Sequence, residues 1–195
     1  AEKAPIFRSG KPALTGDRAT QARLQACTDS VVEFVPVNVD VPTSLMGHHQ
    51  RINLSVALAL LRRLNITFNP DVLFQFSIPA RLERIGHLII DCAHNPHAVR
   101  TVLKQIRQIQ AQDQRPLELV FGVMNDKAVH EMATLIGQTE LPVHLVSPNY
   151  PRRLPLELLR TQFDTLQVRS QGSVNAFMDN RRADRQYLVL GSSFL

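Results

Sequence analysis

Seven consecutive residues, Asp91-Cys92-Ala93-His94-Asn95-Pro96-His97, put a carboxylate and an imidazole where an apolar run, HLII, gives way to a helix-starting signal. Asn95-Pro96 supplies an N-cap and a first-turn proline. A helix N-terminus offers free N–H donors and a partial positive charge, which suits a phosphate. A carboxylate such as Asp91 could accept two hydrogen bonds from a ribose diol. The same residues also fit a plainer arrangement, in which Asp91 and Asn95 only cap the helix and His94 stands in solvent. Spacing alone favours the plainer arrangement.

The elements around this stretch decide what could hold it. HLIIDCA, LELVFGVM, PVHLVSP, LQVR and YLVLGSS read as strands, most of them apolar enough to be buried on both faces. Val99, Val102, Leu103 and Ile106 follow helical spacing after the first run, and Val129, Met132, Ala133 and Ile136 do so after the second. LELLRTQF and SVNAFMDNRR read as the remaining helices. Alternation with short connections implies a parallel sheet covered by helices, and right-handed crossovers make it doubly wound and Rossmann-like. Ligands then bind at strand C-terminal ends. That rule gathers Asp91, Ala93 and His94 with Gly122 to Lys127 and Gly191 to Ser193. Earlier in the chain, residues 1–45 read as short extended pieces and loops. Residues 48–64 read as a helix apolar on so much of its surface that it is buried on several sides. The stretch from Asn69-Pro70 to Pro79 reads as a boundary, so two domains are expected, 1–76 and 77–195.

Composition narrows the function classes. A chain of 195 residues, 44% apolar, is long enough for one domain with an appendage. No apolar run is long enough to span a bilayer, so no membrane association is expected. Cys27 and Cys92 form no disulfide framework and fit a reducing, cytoplasmic setting. The opening AEKAPIFRSGK has no signal-peptide core and no initiator Met, so the native start is expected further upstream. The formal charge of +5 comes from scattered arginines, with two Tyr and no Trp for base stacking, which argues against nucleic acid as a partner. With no G-x-x-x-x-G-K-[ST] and no G-x-G-x-x-G, a complete P-loop enzyme and nicotinamide chemistry are both excluded for these residues. CxxC, HExxH and GxSxG are absent too.

Asp91-Cys92-Ala93-His94-Asn95-Pro96-His97-Ala98 resembles D-G-A-H-N-P-x-A, a signature of the folylpolyglutamate and dihydrofolate synthases, which belong with the Mur ligases. Further resemblances occur in that family's order: Glu2-Lys3-Ala4-Pro5-Ile6-Phe7 to E-K-A-G-I-[IFY], Gly47 to Asn53 to G-x-H-Q-x-x-N, Pro79-Ala80-Arg81-Leu82-Glu83 to P-G-R-L-E, Phe121 to Lys127 to F-G-x(3)-D-K, and Gly191-Ser192 to a late G-S. The resemblance implies an α/β fold of the Mur-ligase C-terminal type, a Rossmann-like mostly parallel sheet flanked by helices. It places the tail of a P-loop ATPase domain before it. It further implies an ATP-dependent ligase adding L-glutamate to a folate or dihydropteroate carboxylate through an acyl phosphate, with ATP, Mg²⁺ and a monovalent cation. The phosphate-binding half would lie in a missing N-terminal P-loop domain, leaving this piece inactive alone.

By the same resemblance Asn53, Arg81 and Asp91 bind ATP, His94 lies beside the phosphates and Ser192 at the glutamate end of the site. Lys3 matches a lysine that, when carbamylated, helps hold a metal; without its neighbours it is expected to be an ordinary lysine here. Pro5, Ala80 and Cys92 stand where the family has glycine. The alternatives are another Mur-type amino-acid ligase and a non-catalytic nucleotide-binding module.

Overall fold

The computed structural model describes residues 12–38, 40–41, 43–45, 47–163 and 167–192. Lys3 and Pro5 lie outside the described residues. The chain divides into two compact units, Ala1–Ser77 and Ile78–Leu195, each with its own strands.

In the first unit, β1 (Ala13–Thr15) pairs in parallel with β2 (Val32–Phe34), and α1 (Arg18–Gln25) lies between them in sequence. The Asp17 side chain caps α1 by accepting from Thr20 N–H at 2.6 Å. Sequence reading took this region for extended pieces and loops. The helix has no buried residue, so it carries no apolar stripe by which to recognise it. α2 (His48–Arg63) is the expected long helix, but it buries one face, with Gln50, Leu54, Ser55 and Leu58, and leaves Leu60 48% exposed, where burial on several sides was expected. It packs Leu54 and Leu58 against Leu73 of α3 (Val72–Gln75), a one-turn helix that sequence reading missed. Gly16 lets α2 approach: a Cβ there would stand 2.4 Å from Ile52 Cγ2.

The second unit is a six-stranded sheet ordered β3-β4-β8-β5-β6-β7, comprising β3 (Arg81–Ile85), β4 (Leu88–Asp91), β5 (Leu117–Gly122), β6 (Val143–Ser147), β7 (Val168–Ser173) and β8 (Gln186–Gly191). All pairings are parallel except β3 with β4. This is the expected mostly parallel, helix-flanked sheet. Every residue of β5 is buried, as the continuous apolar run required. β3 was not expected: its sequence, RLERI, has an exposed edge and only Leu82 buried.

The helices are α4 (Pro96–Leu103), α5 (Ile106–Ala111), α6 (Val129–Gly137), α7 (Leu156–Thr161) and α8 (Val174–Asn180). The helix expected from 96 onward is thus two pieces, broken at Lys104 and Gln105. From β4 to β7 the chain advances across the sheet, then α8 carries it back to β8. Right-handed crossovers in opposite directions place α8 on the opposite face from the other helices. Packing agrees: Val120 joins Phe177 of α8, Leu88, Val146 and Tyr187 in one cluster, while its neighbour Phe121 meets Phe163, just past α7. Among the described residues no helix is long and apolar enough to cross a membrane.

Candidate functional site

The antiparallel edge exists to shape one loop. Arg81 is the Cα partner of Asp91, yet Glu83 pairs with Ile90, so Leu82 is an extra residue in the ladder. Leu82 and Ala80, on either side of Arg81, both have left-handed backbones, with φ of 52° and 53°. Bulges of this kind re-aim side chains. Side chains hold the unusual turn: Ala80 N–H donates to Glu83 Oε2 at 2.9 Å, and Leu82 N–H donates to Asp91 Oδ2 at 3.1 Å. Cys92 N–H adds a bond to Ala80 carbonyl at 2.9 Å. The left-handed φ at residue 80 explains why a glycine suits the position, and Ala80 occupies it at a cost of roughly 1 kcal/mol.

Asp91 is only 3% exposed. Burial pushes its carboxyl up from the ordinary 3.8, against the Leu82 N–H, the nearby Arg81 charge and the Ala93 N–H, which pull it down. Its first task is therefore to fasten the Arg81 turn, with Arg81 itself exposed at the edge. Arg81 and Asp91 meet across one ladder. Asn53 is exposed on α2, in the other unit, and its amide donates weakly to Gln50 at 3.4 Å.

Past the end of β4, Asn95 caps α4 by accepting from Ala98 N–H at 2.9 Å, with Pro96 in the first turn. His94 Nδ1 sits 2.8 Å from the Cys92 carbonyl. A carbonyl oxygen only accepts, so Nδ1 carries a proton and the exposed ring offers Nε2 for chemistry. The plainer sequence reading is thus right that Asn95 caps the helix and that His94 is exposed, while Asp91 fastens the Arg81 turn instead of capping α4.

His94 and Ser192 share a cavity of about 190 Å³ with Asp126, Lys127 and Arg152. These residues follow the C-terminal ends of β4, β8, β5 and β6, where doubly wound sheets bind ligands. Lys127 Nζ reaches Asp126 Oδ2 at 3.0 Å, and this bond, helped by the Arg152 charge, holds the Asp126 carboxyl below its ordinary range. The loop after β6 is tied down by Asn125 N–H to the Arg152 carbonyl at 3.0 Å and Leu154 N–H to the Val123 carbonyl at 2.9 Å. Gly191 has φ of 120°, and a Cβ there would lie 2.0 Å from the Gly122 carbonyl oxygen, so the two strand ends can close only with glycine. Sequence reading quoted Asp126 and Lys127 without a role and missed Arg152, which sits in a loop with no periodicity. The strand-end rule applied to the end of β6 was the available signal.

Two cations, one carboxylate, an imidazole and a hydroxyl in a space of amino-acid size can bind an amino diacid. Among the described residues no three His, Cys, Asp or Glu side chains gather as a metal site. The donors here therefore do not fit a resident divalent ion. An opening of about 500 Å³ in the first unit, between residues 34–40 and α2, contains none of the nominated residues.

Comparison with known proteins follows the same lines. The family described as Mur ligase, glutamate ligase domain, matches residues 80–192. A folylpolyglutamate synthase of Lacticaseibacillus casei is 28% identical over 128 residues, covering 60% of this chain and 29% of that protein. A dihydrofolate synthase/folylpolyglutamate synthase of Bacillus subtilis is 22% identical over 171 residues, covering 79% of this chain and 39% of that protein. Among solved structures, E. coli FolC in complex with DHPP and ADP superposes with a TM-score of 0.77 at 23% identity, covering 98% of this chain. The chain spans about half the length of that structure, 52%.

Proposed function

We propose a function for a chain that belongs to the Mur ligase, glutamate ligase domain, family: it forms one wall of an ATP-dependent ligase that joins glutamate to a folate or dihydropteroate carboxylate. The other wall, with the P-loop that cradles the phosphates, comes in this reading from a preceding domain; residues 1–76 are the tail of that domain and residues 77–195 the ligase domain proper. The reading carries a cytoplasmic setting, because ATP is a co-substrate. Mg²⁺ and a monovalent cation would be held by phosphate oxygens and by groups outside the described residues, with carbamylated Lys3 one such group in the complete protein.

The observation that carries the reading is the strand-end cavity of His94, Asp126, Lys127, Arg152 and Ser192. Lys127 and Arg152 suit the carboxylates of glutamate, and Asp126 suits its ammonium. In the reaction, ATP transfers its terminal phosphoryl group to the carboxylate, giving an acyl phosphate and ADP. The glutamate amine, having lost a proton, attacks the acyl carbon, and the tetrahedral intermediate expels phosphate to leave the amide. His94, with Nδ1–H fixed on the Cys92 carbonyl, presents Nε2 as acceptor for the amine proton, and the Ser192 hydroxyl orients the amino acid. Phosphoryl transfer depends on position and charge neutralisation. Arg81 supplies charge to the nucleotide, Asp91 fixes its turn and meets the nucleotide from beside it, and Asn53 lies near the base.

The test is steady-state kinetics of the complete protein, following ADP release with ATP, glutamate and dihydropteroate or a folate. Arg81→Gln is expected to raise KM for ATP at least about tenfold and leave KM for glutamate unchanged. Lys127→Gln is expected to do the reverse, each effect being the loss of roughly 1.5–3 kcal/mol from a charged hydrogen bond. ADP release that is independent of every carboxylate and amino acid offered would refute the ligase reading.

A further inference from the structure

On the sheet face that α8 covers, Glu118 of β5 is 4% exposed and holds three basic side chains. Its Oε2 accepts from His144 Nε2 at 2.7 Å, and its Oε1 lies 3.6 Å from Arg169 Nε and 3.4 Å from Arg185 Nε. His144 Nδ1 in turn is 2.7 Å from Ser170 Oγ. A break in the β6–β7 ladder produces this arrangement. Val143 pairs with Val168, but His144 pairs with Ser170, so Arg169 is an extra residue. A regular strand sends consecutive side chains to opposite faces. The bulge lets Arg169 and Ser170 line one cavity, of about 340 Å³, together with Arg181 and Arg182 from the end of α8.

Arg182 and Arg185 share Asp184, and Arg169 leans on Glu118. Arg181 differs. Among the described residues it has no carboxylate partner; one Nη–H donates to the Met178 carbonyl, and its buried Nε–H has no acceptor. A buried donor without a partner costs about 1–3 kcal/mol unless something occupies its site. Phe177, Tyr187 and Val146 give the same cavity an apolar, largely aromatic floor, with Phe177 and Tyr187 edge-on at 5.1 Å. Three guanidinium groups, of Arg169, Arg181 and Arg182, thus line this cavity with one carboxylate, Glu118, above an apolar floor, in a volume larger than an inorganic oxyanion needs.

We propose that this cavity is a second ligand site, taking a small organic anion whose phosphate or carboxylate group lies among Arg169, Arg181 and Arg182 while its apolar body packs against Phe177 at the floor. It is separate from the strand-end cavity. Glu118, His144 and Ser170 stand near the N-terminal ends of their strands, whereas Asp126 and Ser192 follow C-terminal ends. The proposal does not depend on the ligase reading.

Calorimetric titration of the full chain at low salt with phenyl phosphate, benzoate and inorganic phosphate tests it. The expected result is saturable one-site binding of phenyl phosphate or benzoate, at least about tenfold tighter than inorganic phosphate. Arg181→Gln should weaken that binding about tenfold or more without lowering the thermal midpoint of the unliganded protein, and Arg181→Lys should restore part of it. Binding of neither organic anion would overturn the proposal, as would equal affinity for inorganic phosphate or binding indifferent to Arg181→Gln.

Discussion

Ala80 and Asp91 show how one side chain can carry a constraint that its neighbours impose. Ala80 sits at φ 53° in a turn whose N–H groups are already spoken for. Ala80→Gly should therefore stabilise the protein by up to about 1 kcal/mol, the relief of left-handed strain exceeding the flexibility added to the unfolded chain. Chemical denaturation would show it, and a lower midpoint for the glycine variant would refute it. Asp91 makes a pH prediction. Its folded carboxyl titrates above the ordinary 3.8 because it is buried. Between the two values the native chain binds more protons than the unfolded chain, so this group's contribution falls as pH rises. Asp113, held at about 2 by Arg115, acts in the opposite sense and in a lower window: its stabilisation is present above 3.8 and lost as pH falls toward 2. The difference in stability between the parent and Asp91→Asn, measured from pH 4 to pH 7, should thus move in favour of the variant with rising pH. A difference that is flat or opposite in sign would contradict the burial of this carboxylate.

Among the elements, the most legible in the sequence are continuous apolar runs and helices with a buried face. β4, β5, β6 and β8 announce themselves as apolar runs, and α6 buries Val129, Met132, Ala133 and Ile136 on one face. β3 and α1 were invisible because neither is buried enough to leave a pattern. β7 was only half legible, as LQVR, because most of the strand, VRSQGS, is exposed. The site followed the same division. Arg81, Asp91 and His94 were named from short motifs, and the structure sets them where two strands pair or end. Arg152 joins them only through the path of the chain between strands, which no local spacing encodes. The closest strand approach makes a prediction: Gly191→Ala should cost at least about 2 kcal/mol, because φ of 120° and a Cβ only 2.0 Å from the Gly122 oxygen cannot both be tolerated. Retained stability in that variant would mean that the strand ends do not close as described.

At the scale of the molecule, every pairing of the six-stranded sheet falls inside the unit that begins at Ile78. A chain starting at Ile78 should then unfold cooperatively in urea by itself, and a gradual, non-cooperative transition would show that the sheet needs the preceding unit. The stretch from Asn69-Pro70 to Pro79 carries little buried apolar surface beyond Leu73. The order of strands has one more consequence. β8 joins β4 to β5, so the last of this sheet's six strands to leave a ribosome is its keystone. Until residues 186–191 emerge, β4 and β5 have an unfilled slot between them and two open edges inviting the wrong strand. A nascent chain stalled before Gln186 should depend on a chaperone, and its release should coincide with the appearance of protease resistance in a single step.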